Sequence, residues 1–356
     1  MKKWICVICC LFILTGCVQK RIIDELNIAV ATGFDPDTSD EHLLKTTFLM
    51  EIFNKEMSVE NKTVTTTGDL RKETLYKANR QAPSPIVVGG LRLTLYNIAI
   101  AERGLSAYVD AYQRDASIGK RIYFATTDSN TEDIFKGEYG PQGNGSFISD
   151  LIEHNIDYGD LPKTNLTLFM RDFYQEGKDI FLPHIKKINE QEIELAGISL
   201  FKDHAAYKIL PSDKLFYFKL LVDRYSRGDF SIELPDGEKV AIQSIHSNHK
   251  YKLDKKDPTN ITIKIKVQGN IKEYSGNNID DKKIKEITNF INKKIKNECL
   301  ALIKSFQEDN ADPIGLGKVY STKIRNFDYK EWKEGYPDLN IKVDPKVIIL
   351  DTGASI

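Results

Sequence analysis

The run Asn260-Ile261-Thr262-Ile263-Lys264-Ile265-Lys266-Val267 alternates apolar and polar residues without a break. Alternation of period two puts every second side chain on one face of a pleated strand, so this run reads as a half-exposed sheet strand. Residues 280–307 then change period. Ile284, Ile287, Ile291, Ile295, Cys299, Leu302 and Phe306 recur every three or four positions, which draws one apolar stripe along a long helix. Asp280 and Asp281 sit where the helix dipole favours negative charge, and Lys282, Lys283, Lys293, Lys294 and Lys296 fall off the stripe. A strand with one greasy face next to a helix with one greasy stripe predicts a helix packed on a sheet.

The same reading extends outward. Residues 28–35 predict a strand running into an Asp/Pro/Ser turn, and 45–53 its hairpin partner. Residues 69–81 predict a helix with Asp69 as N-cap, halted by Pro83-Ser84-Pro85. Strands are expected at 91–95 and 120–126, and helices at 98–116 (broken at Gly104), 131–135, 146–154 and 166–176, with 137–145 a glycine-rich loop. Residues 193–201 predict the opening strand of a second unit. A helix follows at 213–224, then strands at 231–234 and 239–246, and a late strand at 340–350. The expected fold is α+β and multi-domain, with mixed or antiparallel sheets, packed helices and the long helix in the last domain. The expected division is a leader at 1–17, an N-terminal domain to 190, a middle domain at 191–268 and a C-terminal domain at 269–356. The last two could equally count as one.

The chain opens on Met1-Lys2-Lys3, and residues 4–14 carry neither charge nor side-chain amide. This segment fits a secretory hydrophobic region of roughly 7–15 residues and is too short for the roughly 20 that span a bilayer. It ends in Leu14-Thr15-Gly16-Cys17, a nucleophilic thiol beside two small residues. The string resembles the lipobox of bacterial lipoproteins, in which the Cys takes a diacylglyceryl group and becomes the new, N-acylated (palmitoylated) terminus. Cys17 is thus the expected lipidation site. Two acyl chains hold a protein lastingly where one holds it marginally. Residues 18–21 form the expected tether, which reaches at most ~14 Å, so the first domain is expected close to the membrane.

Charge and cysteine content narrow the function. The chain has 50 basic and 51 acidic residues, and loss of Lys2 and Lys3 with the leader leaves 48 against 51. That balance lacks the basic footprint of a nucleic-acid binder. Cys6, Cys9 and Cys10 leave with the leader, and Cys17 carries lipid. Cys299 then remains alone, which excludes an intramolecular disulfide and a cysteine-rich metal site. No later segment approaches the apolar length of a membrane span, so the body is expected to be soluble apart from its lipid.

Catalytic signals are sparse, and no enzyme activity, metal or cofactor is expected. HExxH, GxxxxGK[ST] and GxSxG strings are absent. His246 and His249, three apart on an expected strand, fall on opposite faces. Asp35, Asp37 and Asp40 crowd one turn without the central Gly and distal Glu of a calcium loop. Cys299 lies on the apolar stripe and reads as core, and Trp332 and Tyr336 read as core anchors. No residue stands out as a ligand contact.

With these residues in view, the chain resembles the Ger(x)C family, the C-subunit lipoproteins of spore nutrient germinant receptors. The resemblance rests on the lipobox, on Leu26, Ile28 and Gly33-Phe34-Asp35, on Thr46-Thr47-Phe48, and on Arg114-Asp115 at a helix end. In the last third it rests on Asp312, Gly315, Gly317, Trp332, Tyr336-Pro337 and Thr352-Gly353, in that order. Departures are Val18-Gln19 in place of a Trp-Asp pair, Ile22 in place of an acidic residue, and Gly89-Gly90 in place of Gly-His. The resemblance implies a non-enzymatic, lipid-anchored subunit on the outer face of the spore inner membrane. It also implies two multispanning partners, A-type and B-type, and a role in nutrient-triggered germination. The rival readings are a solute-binding lipoprotein of an uptake system, disfavoured by the antiparallel stretch 231–267, and a lipid-anchored hydrolase, disfavoured by the missing motifs.

Overall fold

The computed structural model describes residues 26–37, 43–53, 59–115, 117–224 and 226–352. Cys17, the leader, the tether, Asp40 and Gly353 lie outside the described residues.

Two sheets organise the chain. The first is built from β1 (Asn27–Pro36), β2 (Leu44–Phe53), β3 (Val59–Gly68), β5 (Leu93–Asn97), β6 (Tyr123–Thr127), β7 (Phe181–Lys187), β8 (Ile193–Lys202) and β9 (Ala205–Pro211). Its order is β3-β2-β1-β5-β6-β7-β8-β9, and a short β4 (Ile86–Val87) pairs with β1. The central strands β1, β5, β6 and β7 run parallel, and hairpins extend the sheet antiparallel on both sides. Parallel neighbours need crossovers. These carry α1 (Arg71–Asn79), α2 (Ile98–Arg103) and α3 (Ser106–Arg114), then α4 (Thr131–Phe135), α5 (Asn144–Asp157) and α6 (Leu166–Phe173).

Period-two alternation sorts each central strand between two cores. Leu93 and Leu95 join one cluster and Tyr96 the other; Leu49 is separated from Phe48 and Met50 in the same way. Ala29 and Ala31 have the same parity yet face opposite cores, because a register shift lies between them. A bulge inserts one residue and so exchanges the faces of everything beyond it.

The second sheet has the order β10 (Ser226–Glu233), β11 (Lys239–Leu253), β12 (Asn260–Tyr274), β13 (Asn340–Asp351). Its first three strands form an antiparallel meander, and β13 returns parallel to β12. Ile261, Ile263, Ile265 and Val267 are all within 1% of full burial, while Lys264 and Lys266 are exposed. Helix α8 (Asp281–Glu308) buries Ile287, Ile291, Ile295, Cys299, Leu302 and Phe306 in the same cluster, and the Asp280 carboxylate accepts from Lys283 N at 2.7 Å as its N-cap. Helix α7 (Leu215–Val222) is buried on nearly every side and joins this core to one face of the first sheet. A helix apolar all round belongs inside a protein.

Several expectations change. Asp69 does not cap α1: the helix starts after Leu70 without a side-chain cap, and Asp69 N donates to Glu73 Oε2 at 2.9 Å. Strands β3, β4, β7 and β9 and the helices α9 (Leu316–Lys323) and α10 (Tyr329–Gly335) were not expected from the sequence. The boundary expected after 190 falls between β7 and β8, which pair along seven residue pairs from Phe181↔Leu200 to Lys187↔Ile193. The polar run there is a hairpin turn, held by Ile188 N to Glu192 O at 3.0 Å. The boundary expected after 268 falls within β12.

Cys299 is fully buried, its Sγ faces Tyr217 O at 3.7 Å, and burial pushes its thiol pKa far up. The thiolate is the reactive form. A thiol reagent such as DTNB is therefore expected to leave Cys299 untouched in the folded chain and to react once it is unfolded. Stoichiometric reaction under native conditions would contradict this packing.

Candidate functional site at the junction of the sheets

The C-terminal residues that carry the family resemblance converge in space. Asp312 lies in the loop between α8 and α9 and is 1% exposed. Its carboxylate accepts from N of Gly315, the N-cap residue of α9, at 2.9 Å and from Gly317 N in the first turn at 2.8 Å. Such amides have no partner within their own helix, so a carboxylate there satisfies them and favours the dipole. Gly315 has φ +76°, a left-handed conformation that suits glycine. At Gly317 the reason is space: a Cβ would lie 2.7 Å from Gly177 Cα and 2.8 Å from the Trp332 ring.

Gly177 belongs to the segment between α6 and β7, so this contact joins the two halves of the chain. Lys318 N donates to Gly177 O at 2.8 Å. Beside it, Asp312 N donates to Asp179 Oδ2 at 2.6 Å and Asp179 N donates to Asp312 O at 2.9 Å. Lys333 Nζ lies 3.8 Å from Asp179 Oδ2. Trp332 and Tyr336 close the cluster, with ring centroids 5.1 Å apart and Tyr336 fully buried. Gln307, near the end of α8, donates through Nε2 to Tyr336 O and Leu339 O at 3.1 and 3.0 Å. Trp332 and Tyr336 are thus core anchors, and the motif residues form a lock.

Burial pushes the Asp312 carboxyl up to about 7, against the pull of the Gly317, Leu316 and Gly315 N–H groups. Burial also raises Asp179, opposed by Lys333. A second link lies at α7. Lys219, 2% exposed, donates to Gly159 O at 2.7 Å and Ile156 O at 3.2 Å, at the carbonyl end of α5.

The N-terminal motif residues have their own task. Asp35, 1% exposed, accepts from Thr131 N at 3.0 Å and Thr131 Oγ1 at 2.5 Å, holding the start of α4 against β1. A Cβ on Gly33 would lie 2.2 Å from Thr131 Oγ1. Asp35 is committed to this contact, and among the described residues no group of His, Cys, Asp and Glu is placed to hold a metal ion. His249 is buried with Nδ1 3.0 Å from Asp223 O, and its pKa is pushed down to about 4 by burial. One nucleophile–base approach carries no sequence motif: Ser199 Oγ lies 3.5 Å from His184 Nδ1, with Thr126 Oγ1 between at 2.6 and 3.1 Å. Ser199 is 0% and His184 3% exposed, so this is polar packing inside a sheet with no route for substrate.

Replacing Gly317 by Ala is expected to cost about 1–3 kcal/mol, measured by chemical denaturation, because the added methyl meets backbone on one side and a buried indole on the other. An acid whose pKa rises on folding stabilises the fold below its unfolded value, here near 3.8, and loses that contribution as pH climbs to about 7. Asp312→Asn keeps an acceptor and removes the titration. Its stability relative to the parent should therefore improve steadily from pH 4 to pH 7; a pH-independent difference would contradict the burial of this carboxyl.

Comparison with known proteins follows the two halves. Residues 19–187 match the description "Spore germination protein N-terminal domain", and residues 196–353 match "Spore germination B3/GerAC like, C-terminal". The chain is 32% identical to spore germination protein GerQC of Bacillus cereus over 363 aligned positions, covering 100% of both. It is 24% identical to spore germination protein A3 of Bacillus subtilis, over 76% of this chain and 73% of that one. The crystal structure of the GerBC protein superposes with a TM-score of 0.56 at 16% identity, covering 90% of this chain and 98% of that one, and so shares its fold. With both halves matched in order and a relative aligned end to end, the chain belongs to the GerAC-like family of spore germination proteins.

Proposed function

We propose that this chain is the C subunit of a spore germinant receptor, anchored by lipid on Cys17 to the outer face of the spore inner membrane. It acts there with two multispanning subunits, A-type and B-type, in nutrient-triggered germination. The observation that carries this reading is the end-to-end relationship to a spore germination protein, whose aligned span takes in residues 312–336. Two features are compatible with it. Among the described residues no helix is long and apolar enough to cross a membrane. The carboxylates of Asp35, Asp179 and Asp312 are engaged in holding elements together, which suits a body that transmits contacts without chemistry.

The lipid does physical work in this reading. It confines the body near its membrane partners and so raises their effective concentration. Cys17→Ala is expected to move the protein from the membrane to the soluble fraction of spore lysates and to weaken the response to nutrient. Deleting the chain, together with any paralogue that substitutes for it, should abolish the response to at least one nutrient. Unchanged germination with every nutrient would overturn the proposal.

A further inference from the structure

The register of the first sheet places one of its ends at the tether. Asn27, the first residue of β1, pairs with Ile86, and Ile28 pairs with Val87. Ala29 pairs with Met50, so the last residues of β2, Ile52 and Phe53, lie beyond that point at the same end. Ala31, Leu93 and Tyr123 share one level across β1, β5 and β6. Lys120 and Arg121, which precede β6, therefore lie there too. Helix α1 also finishes there: the Asn79 side chain accepts from Ile86 N at 2.6 Å, and Arg80 follows. The opposite end of α1, at Leu70, lies by the Pro36–Leu44–Gly68 end of the sheet.

This tether end has an unusual surface. Phe53 is 74% exposed and Ile28 37%. Arg80, Lys120 and Arg121 are exposed and form no salt bridge among the described residues. Acidic groups are present as well: Glu153 and Asp157 on α5 act on Tyr123 beside Arg121. Nine residues lie between Cys17 and Asn27, and the ten steps from one to the other span at most ~36 Å when fully extended. Asn27 opens β1, so this end of the sheet is the one the chain reaches first after Cys17.

We propose that the tether end of the first sheet is a membrane-contact face, with Phe53 set in the headgroup layer and Arg80, Lys120 and Arg121 over anionic phosphates. An exposed aromatic side chain and three exposed cations at one end of a sheet are chemistry that an anionic bilayer surface accepts, with Glu60 across the hairpin from Ile52 as an opposing charge. A lipid tail by itself leaves the body free to tumble. A second contact on the same face fixes which way it points. The proposal rests on the lipidation of Cys17 and adds an orientation to it.

The test uses the natively lipidated chain in vesicles of phosphatidylglycerol and phosphatidylethanolamine. A dye is placed at Gln81→Cys in one sample and at Leu70→Cys in another; both sites are exposed, and the buried Cys299 is not labelled. Headgroup nitroxide lipids are expected to quench the dye at 81 severalfold more than the dye at 70. Phe53→Ser should narrow the gap while the protein still floats with the vesicles. Equal quenching at both positions, or stronger quenching at 70, on floating protein overturns the face and leaves the anchor standing. Protein that fails to float, with no diacylglyceryl mass on Cys17, overturns the anchor and the face together.

Discussion

The two halves of this protein meet where Gly177 and Gly317 bring their backbones together. No side chain fits between them, and the Lys318 N–H to Gly177 carbonyl bond leaves no room for water. The neighbouring exchange between Asp179 and Asp312 fixes the same approach from the side, since each backbone N–H is satisfied by the other residue. Buried backbone groups must find partners. Here they find them across the join, so neither half completes its hydrogen bonding alone.

Packing adds to this constraint. Helix α7 has no solvent face to spare: Phe216, Tyr217, Phe218, Leu220 and Leu221 are all buried. Phe218 meets Phe181 of β7 edge-on at 5.3 Å and Phe306 of α8 at 5.9 Å. One ring thus touches the last parallel strand of the first sheet and the helix that covers the second. Lys219, on the same helix, ties its cation to the carbonyl end of α5. Hydrophobic burial supplies attraction without direction, and these polar contacts supply the direction.

Much of this was legible in the sequence, because periodicity reports local burial. The α8 stripe, the β12 alternation and the β1–β2 hairpin each need only one face to be apolar. Strand β3 escaped notice because its inward positions, Val64, Thr66 and Gly68, include only one strongly apolar residue. Helices α9 and α10 are eight and seven residues long, and α9 opens on Leu316-Gly317. Intrinsic propensity cannot hold so short a helix, and the Asp312 carboxylate and the Trp332 contact do so from outside. The polar turn between β7 and β8 coincides with the domain end expected at 190 because composition does not reveal strand pairing. The motif residues were visible one by one, whereas their convergence depends on Gly177 and Asp179, more than 130 positions upstream of Asp312.

Strand β13 closes the second sheet as an outer strand, and its composition has a further effect. Pro345 has no N–H to offer, and the charged residues Lys342, Asp344 and Lys346 are exposed around it. Proline and charge on an outer strand discourage it from recruiting another chain. An unguarded border of this kind invites neighbouring copies to zip into ribbons, and the proline and charges of β13 oppose that.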